Sequence, residues 1–166
     1  MAGTQLFSEY IIWNTKEIEE QQFVTDFIVS EMASKVKNLV VSETKTIKAG
    51  NLAHLKSIIT GKLTGDFSAL DLIMTLHPTP AVCGLPKESA LDFIQKNEAF
   101  DRTYYSGFLG EYNSNNQTDL FVNLRCLEVV NDAVNIYVGC GITNDSNPEM
   151  EFLETENKSM TMRNII

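Results

Sequence analysis

Residues Tyr104–Thr143 read YYSGFLGEYNSNNQTDLFVNLRCLEVVNDAVNIYVGCGIT, and this stretch decides the fold class. It contains three apolar, strand-like runs: YYSGFLGEYN, DLFVNLRCLEVV and AVNIYVGCGIT. The polar sequences NSNNQ and NDA separate these runs, and such clusters of Asn, Ser and Asp are typical of turns. We therefore predict consecutive antiparallel strands in this part of the chain.

The spacing of apolar residues predicts helices before and after these strands. Helices are expected from about Thr15 to Val36, in FSALDLIMTLH, in KESALDFIQKNEAF and from about Asn147 onward, with KNLVVSETKTIKAG and LAHLKSIITGKL extended. The last helix has an N-cap candidate, Ser146 or Asn147, followed by Pro148. Helices, then strands, then a helix indicate an α+β fold rather than a doubly wound α/β sheet.

Length, composition and charge narrow the class of protein. The chain has 166 residues, 43% hydrophobic and 21% charged, so one globular domain over residues 1–166 is expected. The net charge of −9 and the lack of a basic run argue against a nucleic-acid partner. In an acidic protein, an anionic substrate would favour a divalent cation at the site.

The N-terminal sequence and the cysteines indicate a cytoplasmic protein. MAGTQLFSEYIIW lacks the regions of a signal peptide, and no segment approaches the length of a membrane span. Cys83, Cys126 and Cys140 form neither a disulfide framework nor a CxxC zinc motif. A reducing compartment, without membrane attachment, is therefore expected.

Two acidic pairs on helices are candidate metal ligands. Glu151, Glu154 and Lys158 are spaced i, i+3, i+7 in the last helix and share one face. Glu17 and Glu20 form a second i, i+3 pair in the first helix. Such faces are usually solvated salt-bridge networks, but two carboxylates also suit Mg²⁺, which prefers hard oxygen ligands.

Three further features have both a structural and a functional interpretation. Arg125 interrupts an apolar strand, which places it either on a solvated face or beside a carboxylate ligand. The glycines of GCGI, Gly139–Ile142, indicate either a bulge or the close approach of a ligand. His77, in LHPTPAVCGLP, is either a packed residue or a group that titrates near neutral pH.

These pieces occur together, and in the same order, in a known family. LHPTPAVCGLP, EAFDRTYYSGFLGEY, VNLRCLEV and IYVGCGITNDSNPEMEFLETENK closely resemble the C-terminal half of isochorismate synthases. NTKEIEEQQFVTDFI is similar to the family's earlier metal-binding helix, and Ala2–Thr4 to its Ala-Gly-Thr strand end. The resemblance implies the fold of chorismate-utilising enzymes, an antiparallel sheet with helices packed outside, truncated on the N-terminal side.

The resemblance also implies a Mg²⁺ cofactor and the residues that bind it. Glu20 and Glu154 are expected to bind the metal directly, while Glu17 and Glu151 hold metal-bound water. The family usually has His directly after the first ligand, and this chain has Gln21 there. That change weakens a supporting contact without removing a ligand.

On the substrate side, the resemblance implies contacts from Arg125, Lys158, Tyr105, Ala81 and the loop of Gly139, Cys140 and Gly141. Arg125 and Lys158 are expected to grip a carboxylate of chorismate, and the loop to donate backbone N–H groups to it. Tyr105 is expected in the pocket. Ala81 stands where amine-adding and pyruvate-releasing relatives usually have Thr, which favours isochorismate synthesis. Cys140 replaces a common Ala.

The resemblance further implies that the chain lacks part of the catalytic machinery. Family members are longer, and their catalytic Lys and Glu lie in the part before the Ala-Gly-Thr element, so no residue here matches either. We therefore expect no turnover of chorismate by this chain alone, and self-association through exposed core surface. The alternatives are an anthranilate, aminodeoxychorismate or salicylate synthase component, or a non-catalytic interaction domain. Menaquinone and siderophore synthesis both begin from isochorismate, and the pathway stays open.

Overall fold

The computed structural model of the chain describes residues 2–50, 52–65 and 67–166, without the side chains of Ala2, Gly3 and Leu6. These residues form nine strands and four helices, which confirms the predicted α+β class. The chain divides into two compact units, Met1–Asp92 (unit 1) and Phe93–Ile166 (unit 2), and the division falls within a helix. In the described ranges no helix has both the length and the apolar character needed to cross a membrane.

Unit 1 combines small antiparallel sheets with helices. Its elements are β1 (Ala2–Leu6), α1 (Thr15–Met32), β2 (Val36–Val41), β3 (Lys45–Ala49), β4 (Leu52–Lys56), β5 (Ile59–Leu63), α2 (Ala69–Leu76) and the first part of α3 (Lys87–Asn97). The strands β1, β4 and β3 form one sheet in that order, and β2 pairs with β5. As the central strand, β4 is buried from Leu52 to Leu55.

The first helix ends earlier than its sequence pattern predicts. The apolar spacing predicts a helix to about Val36, whereas α1 ends at Met32 and Val36 begins β2, opposite Leu63 of β5. The run VKNLVV is rich in β-branched residues, and strand pairing overrides the helical spacing here. Along α1, Val24 and Met32 are buried.

Unit 2 contains two hairpins and the last helix. Its elements are β6 (Phe108–Ser114), β7 (Gln117–Val122), β8 (Cys126–Val130), β9 (Ala133–Tyr137) and α4 (Pro148–Arg163). β6 pairs with β7 and β8 with β9, both antiparallel. Both predicted turns are confirmed: Asn115 and Asn116 have φ of 51° and 61°, as in a type I′ turn, and Asn131 has φ of 53°.

The run DLFVNLRCLEVV is not a single strand, contrary to the prediction. β7 ends at Val122 and β8 begins at Cys126. Between them Arg125 has φ of 51°, in the left-handed region that a non-glycine residue rarely adopts. This backbone conformation interrupts the extended run, so the prediction of a strand Arg at that position is wrong.

The N-cap of α4 is Asn147 rather than Ser146. The Asn147 Oδ1 accepts hydrogen bonds from the N–H groups of Glu149 and Met150, at 3.0 and 3.1 Å. Ser146 instead accepts a hydrogen bond from the Thr143 N–H at 2.9 Å. Pro148 occupies the first helical position, where its missing N–H leaves no intrahelical bond unmade. These contacts fix where the acidic face of α4 begins.

Candidate functional site

Helix α4 turns a polar face inward and leaves apolar side chains exposed. Glu151 and Ser159 are only 6% and 4% exposed, whereas Phe152 and Leu153 are 64% and 53% exposed. A buried carboxylate is costly unless hydrogen bonds or charges compensate it. The inward face of α4 therefore buries polar side chains, and the interpretation of a solvated salt-bridge network does not apply to Glu151.

Glu154 forms an ion pair with one cation of unit 2 and acts electrostatically on a second. The Lys158 Nζ lies 2.6 Å from the Glu154 Oε1. Burial lowers the pKa of Arg125, and the negative charge of Glu154 opposes that shift and raises it. Glu154 thus sits in a positive electrostatic environment, on the side of α4 that the sequence spacing predicts.

The loop that follows β9 is held against the same face of α4. Lys158 Nζ donates a hydrogen bond to the Gly139 carbonyl at 2.9 Å. The pKa of the Cys140 thiol is raised to about 11, mainly by burial. The nearby acids Glu151 and Glu154 add to this rise, while the positive charge of Lys158 lowers the pKa. The thiol is therefore protonated near neutral pH.

Gly139 allows the close approach of an aromatic side chain. A Cβ atom at this position would lie 2.7 Å from the Tyr105 Oη, so any other residue would displace one of the two. The Tyr105 ring stacks on Tyr137 with 5.7 Å between ring centroids. Burial raises the pKa of Tyr105. The structure therefore places Tyr105 directly under the glycine loop.

Tyr137 contributes to this arrangement but is absent from the sequence-based prediction. Its hydroxyl donates a hydrogen bond to the Glu128 Oε2 at 3.1 Å, and its ring supports Tyr105. Tyr137 is the last residue of β9, and a tyrosine in a strand is ordinarily a packing residue. The one sequence signal is its position two residues before the GCG loop.

In unit 1, the first acidic pair has structural partners of its own. The two carboxylate oxygens of Glu17 accept hydrogen bonds from the Asn14 N–H at 2.7 Å and from the Gln5 Nε2 at 2.9 Å. Glu20 forms an ion pair with Lys16, with 3.6 Å between Nζ and Oε1. The Asn14–Glu17 contacts form a capping box that starts α1. The metal-binding roles of Glu17 and Glu20 stay predictions.

Two other predicted features of unit 1 are placed by the structure. Gln21 is buried and donates from Nε2 to the Ser57 Oγ at 3.1 Å, so it serves the core of unit 1. Ala81 is exposed in the turn that follows α2, and its role as a pocket residue stays a prediction. Burial, and secondarily the charge of Lys87, lowers the pKa of His77. The neutral imidazole favours the packed interpretation of His77.

Mg²⁺ sites are usually built from one or two carboxylates together with water and substrate oxygens. No group of three or more His, Cys, Asp or Glu side chains that could hold a metal is found among the described residues. Glu151 and Glu154 supply two hard carboxylates one helical turn apart, one buried and one half-buried. The donor set of α4 therefore fits a hard divalent cation that also binds water and a ligand.

The sequence as a whole matches one family description, chorismate binding enzyme, over residues 3–166. The chain belongs to the chorismate binding enzyme family. Isochorismate synthase DhbC of Bacillus subtilis is 34% identical over 154 residues, which are 92% of this chain and 39% of that protein. Anthranilate synthase component 1 of Methanothermobacter marburgensis is 31% identical over 155 residues, 92% of this chain and 34% of that protein.

A solved structure of the family has the same fold. MenF, the menaquinone-specific isochorismate synthase of Escherichia coli, matches with a TM-score of 0.86 at 28% identity, covering 98% of this chain and 40% of that one. The chain thus spans about two fifths of the isochorismate synthases that it matches. The predicted membership of the family, with isochorismate synthases among the relatives, is confirmed.

Proposed function

We propose that this chain is the carboxylate- and metal-binding part of a Mg²⁺-dependent isochorismate synthase, which converts chorismate into isochorismate. The observation that carries the proposal is the inward polar face of α4, where Glu151 is buried and Glu154 forms an ion pair with Lys158. The charge of Glu154 also acts on Arg125 and raises its pKa. Similarity to isochorismate synthases over nearly the whole chain supports it. Residues 1–166 would form the C-terminal part of a chorismate-binding catalytic domain.

The substrate is held by its carboxylates in this proposal. Arg125 offers a planar guanidinium that can form two parallel hydrogen bonds with a carboxylate. Lys158 adds a second positive charge and donates a hydrogen bond to the Gly139 carbonyl. The resemblance assigns the backbone N–H groups of the Gly139–Gly141 loop to the same carboxylate. Tyr105, packed against Gly139, is the proposed pocket residue next to the loop. These groups orient the chorismate ring, which lowers the entropic part of the activation free energy of the reaction.

In this proposal Glu154 of unit 2 binds Mg²⁺ directly and Glu151 holds a metal-bound water molecule. The resemblance assigns the same two roles to Glu20 and Glu17 of unit 1. Bound Mg²⁺ supplies charge neutralisation and orientation of a substrate carboxylate. The reaction adds water to the ring carbon next to the carboxylate-bearing carbon, and the ring hydroxyl leaves. The general base and acid for these proton transfers are expected in the part of the family fold that precedes this chain.

The proposal is tested by joining the chain to the part of B. subtilis DhbC that lies outside the match. We expect no isochorismate from the chain alone, and Mg²⁺-dependent isochorismate formation from the fusion. Chelation with EDTA should abolish the activity, and added Mg²⁺ should restore it. Product formation by the chain alone would contradict the assignment of acid and base. A folded fusion that binds chorismate without converting it would contradict the proposed reaction.

An amine-adding or lyase activity is the competing proposal within the family, because an anthranilate synthase component is also a relative. Ala81, in place of the Thr expected for that branch, favours isochorismate. Supplying the fusion with ammonia separates the two, since an amine-adding enzyme would form an aminated product and an isochorismate synthase would not. Release of pyruvate would indicate a lyase. A non-catalytic interaction domain would give no product in any of these assays.

We further propose a cytoplasmic, metabolite-binding protein that self-associates when alone. The three cysteines are free thiols, which suits a reducing compartment, and the charge of −9 disfavours nucleic acid. On the β6–β7 hairpin, Leu109 and Phe121 stand directly opposite each other and are 55% and 66% exposed. An isolated two-stranded hairpin with a bare apolar pair is marginally stable, so covering this pair is favourable.

Replacing Phe121 by Glu is expected to shift the chain from oligomer toward monomer, because a charge replaces the exposed ring. Light scattering coupled to gel filtration measures the mass of each species. Gln117→Glu is the matched control, since it adds the same charge at an exposed position of the same strand. Equal masses for the two variants would contradict association through this face.

A further inference from the structure

The guanidinium group of Arg102 is fixed by hydrogen bonds to two side chains of unit 2. Its Nε and Nη2 donate to the two carboxylate oxygens of Glu98, with 2.7 Å between Nε and Oε2. Its Nη1 donates to the Ser106 Oγ at 3.2 Å. A paired, charge-assisted contact of this kind restricts the guanidinium plane more than a single surface ion pair would. Arg102 is therefore held in one orientation, between the end of α3 and the turn before β6.

This turn is itself well anchored. Ser106 is 9% exposed, and its N–H donates to the Asn123 carbonyl at 2.9 Å. Asn123 also donates from its side-chain amide to the Tyr104 carbonyl at 2.9 Å. The hydrogen bond from Arg102 to Ser106 thus ties the guanidinium to a fixed part of the backbone, next to the β6–β7 hairpin.

Arg102 contacts both the backbone and the ring of Tyr105. The Tyr105 N–H donates to the Arg102 carbonyl at 2.7 Å. The Arg102 Cζ lies 5.8 Å from the centroid of the Tyr105 ring, within the range of a cation–π interaction. At the far end of the ring, a Cβ atom on Gly139 would lie 2.7 Å from the Tyr105 Oη. A shift of the ring would therefore change the contact of its hydroxyl with the glycine loop.

We propose that Arg102 is a positioning residue for Tyr105: the guanidinium, fixed by Glu98 and Ser106, holds the ring so that its hydroxyl stays against Gly139. A side chain that is ordered before the ligand arrives lowers the cost of ordering it on binding. The effect on substrate binding rests on the proposed function, in which Tyr105 is a pocket residue. The effect on the position of the ring does not.

The position of the ring is tested on the chain alone by the nuclear Overhauser effect between the Tyr105 ring protons and the Gly139 α-protons. Arg102→Met keeps a long side chain without the charge or the hydrogen bonds, and is expected to weaken this effect at least about twofold. Arg163→Met is the matched control, because Arg163 forms a half-exposed ion pair on α4, and it should leave the effect unchanged. An unchanged effect in the Arg102 variant would overturn the proposal.

Glu98→Gln is a second, milder variant, which decides the question if Arg102→Met does not fold. It leaves the positive charge of Arg102 in place and weakens the paired hydrogen bonds that orient the guanidinium. We expect a smaller loss of the nuclear Overhauser effect than in Arg102→Met. Circular dichroism checks the fold of each variant. In a folded Glu98 variant, an undiminished effect would overturn the part of the proposal that assigns the orientation of Arg102 to Glu98.

The consequence for substrate binding is tested in the DhbC fusion by a double-mutant cycle on the KM for chorismate. Arg102→Met is expected to raise KM about fivefold, the factor for one cation–π contact. In a Tyr105→Leu background the same change should leave KM within about twofold, because Arg102 acts through the ring that is then missing. Independent, additive effects would overturn the positioning role. An inactive fusion would contradict the proposed function, while the nuclear Overhauser effect still decides the position of the ring.

Discussion

Replacing Glu154 by Gln is expected to lower kcat/KM for chorismate at least about a hundredfold in the fusion with the rest of the fold, since a metal ligand contributes several kcal/mol to charge stabilisation. Gln keeps the size of the side chain and loses the charge. Two cations depend on that charge in unit 2, because Lys158 lies 2.6 Å from Glu154 and the pKa of Arg125 responds to it. The substitution therefore disturbs metal binding and substrate binding together.

The matched control for this prediction is Glu156→Gln on the same helix. Glu156 forms an ion pair with Arg163 at 3.3 Å, in which both side chains are about half exposed, so its removal should change activity little. Calorimetric titration with Mg²⁺ should show weaker binding for the Glu154 variant and unchanged binding for the Glu156 variant. Circular dichroism checks that both variants are folded. Equal losses of activity would remove Glu154 from the metal site.

Much of the fold follows from local sequence, and apolar spacing alone does not predict the two departures from it. The turns NSNNQ and NDA and the start of α4 are fixed by neighbouring residues, so their positions agree with the prediction. The end of α1 depends on long-range pairing, since Val36 pairs with Leu63. The strand break at Arg125 comes from its left-handed backbone, which the run of apolar residues does not reveal. Apolar periodicity carries no information about such long-range pairing.

The sequence shows the spacing of the candidate site residues on α4 but does not show that this face of the helix is buried. The i, i+3, i+7 pattern of Glu151, Glu154 and Lys158 is shared by many solvated helices, and nothing local tells which side faces inward. Burial of Glu151 and the contacts of Lys158 with Gly139 decide the question. Residues that act through a neighbour, such as Tyr137 behind Tyr105, have no motif of their own and emerge only from the packing.

Arg125→Lys is expected to raise the KM for chorismate about ten- to a hundredfold in the fusion, which corresponds to about 1.5–3 kcal/mol for hydrogen bonds to a charged group. Lys keeps the positive charge but replaces the planar fork by a point charge, so the paired hydrogen bonds with a carboxylate are lost. The left-handed backbone at this position strains both residues alike, since φ is 51° and neither is glycine. The loss therefore reports on the guanidinium and not on the backbone.

The control is Arg163→Lys at the exposed ion pair with Glu156, which should leave KM within about twofold of the parent. Steady-state kinetics must separate KM from kcat, because the proposed role of Arg125 is to bind the substrate equally in its ground state and in the transition state. A fall in kcat with unchanged KM would mean that the guanidinium acts on the developing charge rather than on a carboxylate of bound chorismate. Unchanged kinetics would contradict a role of the Arg125 guanidinium in substrate binding.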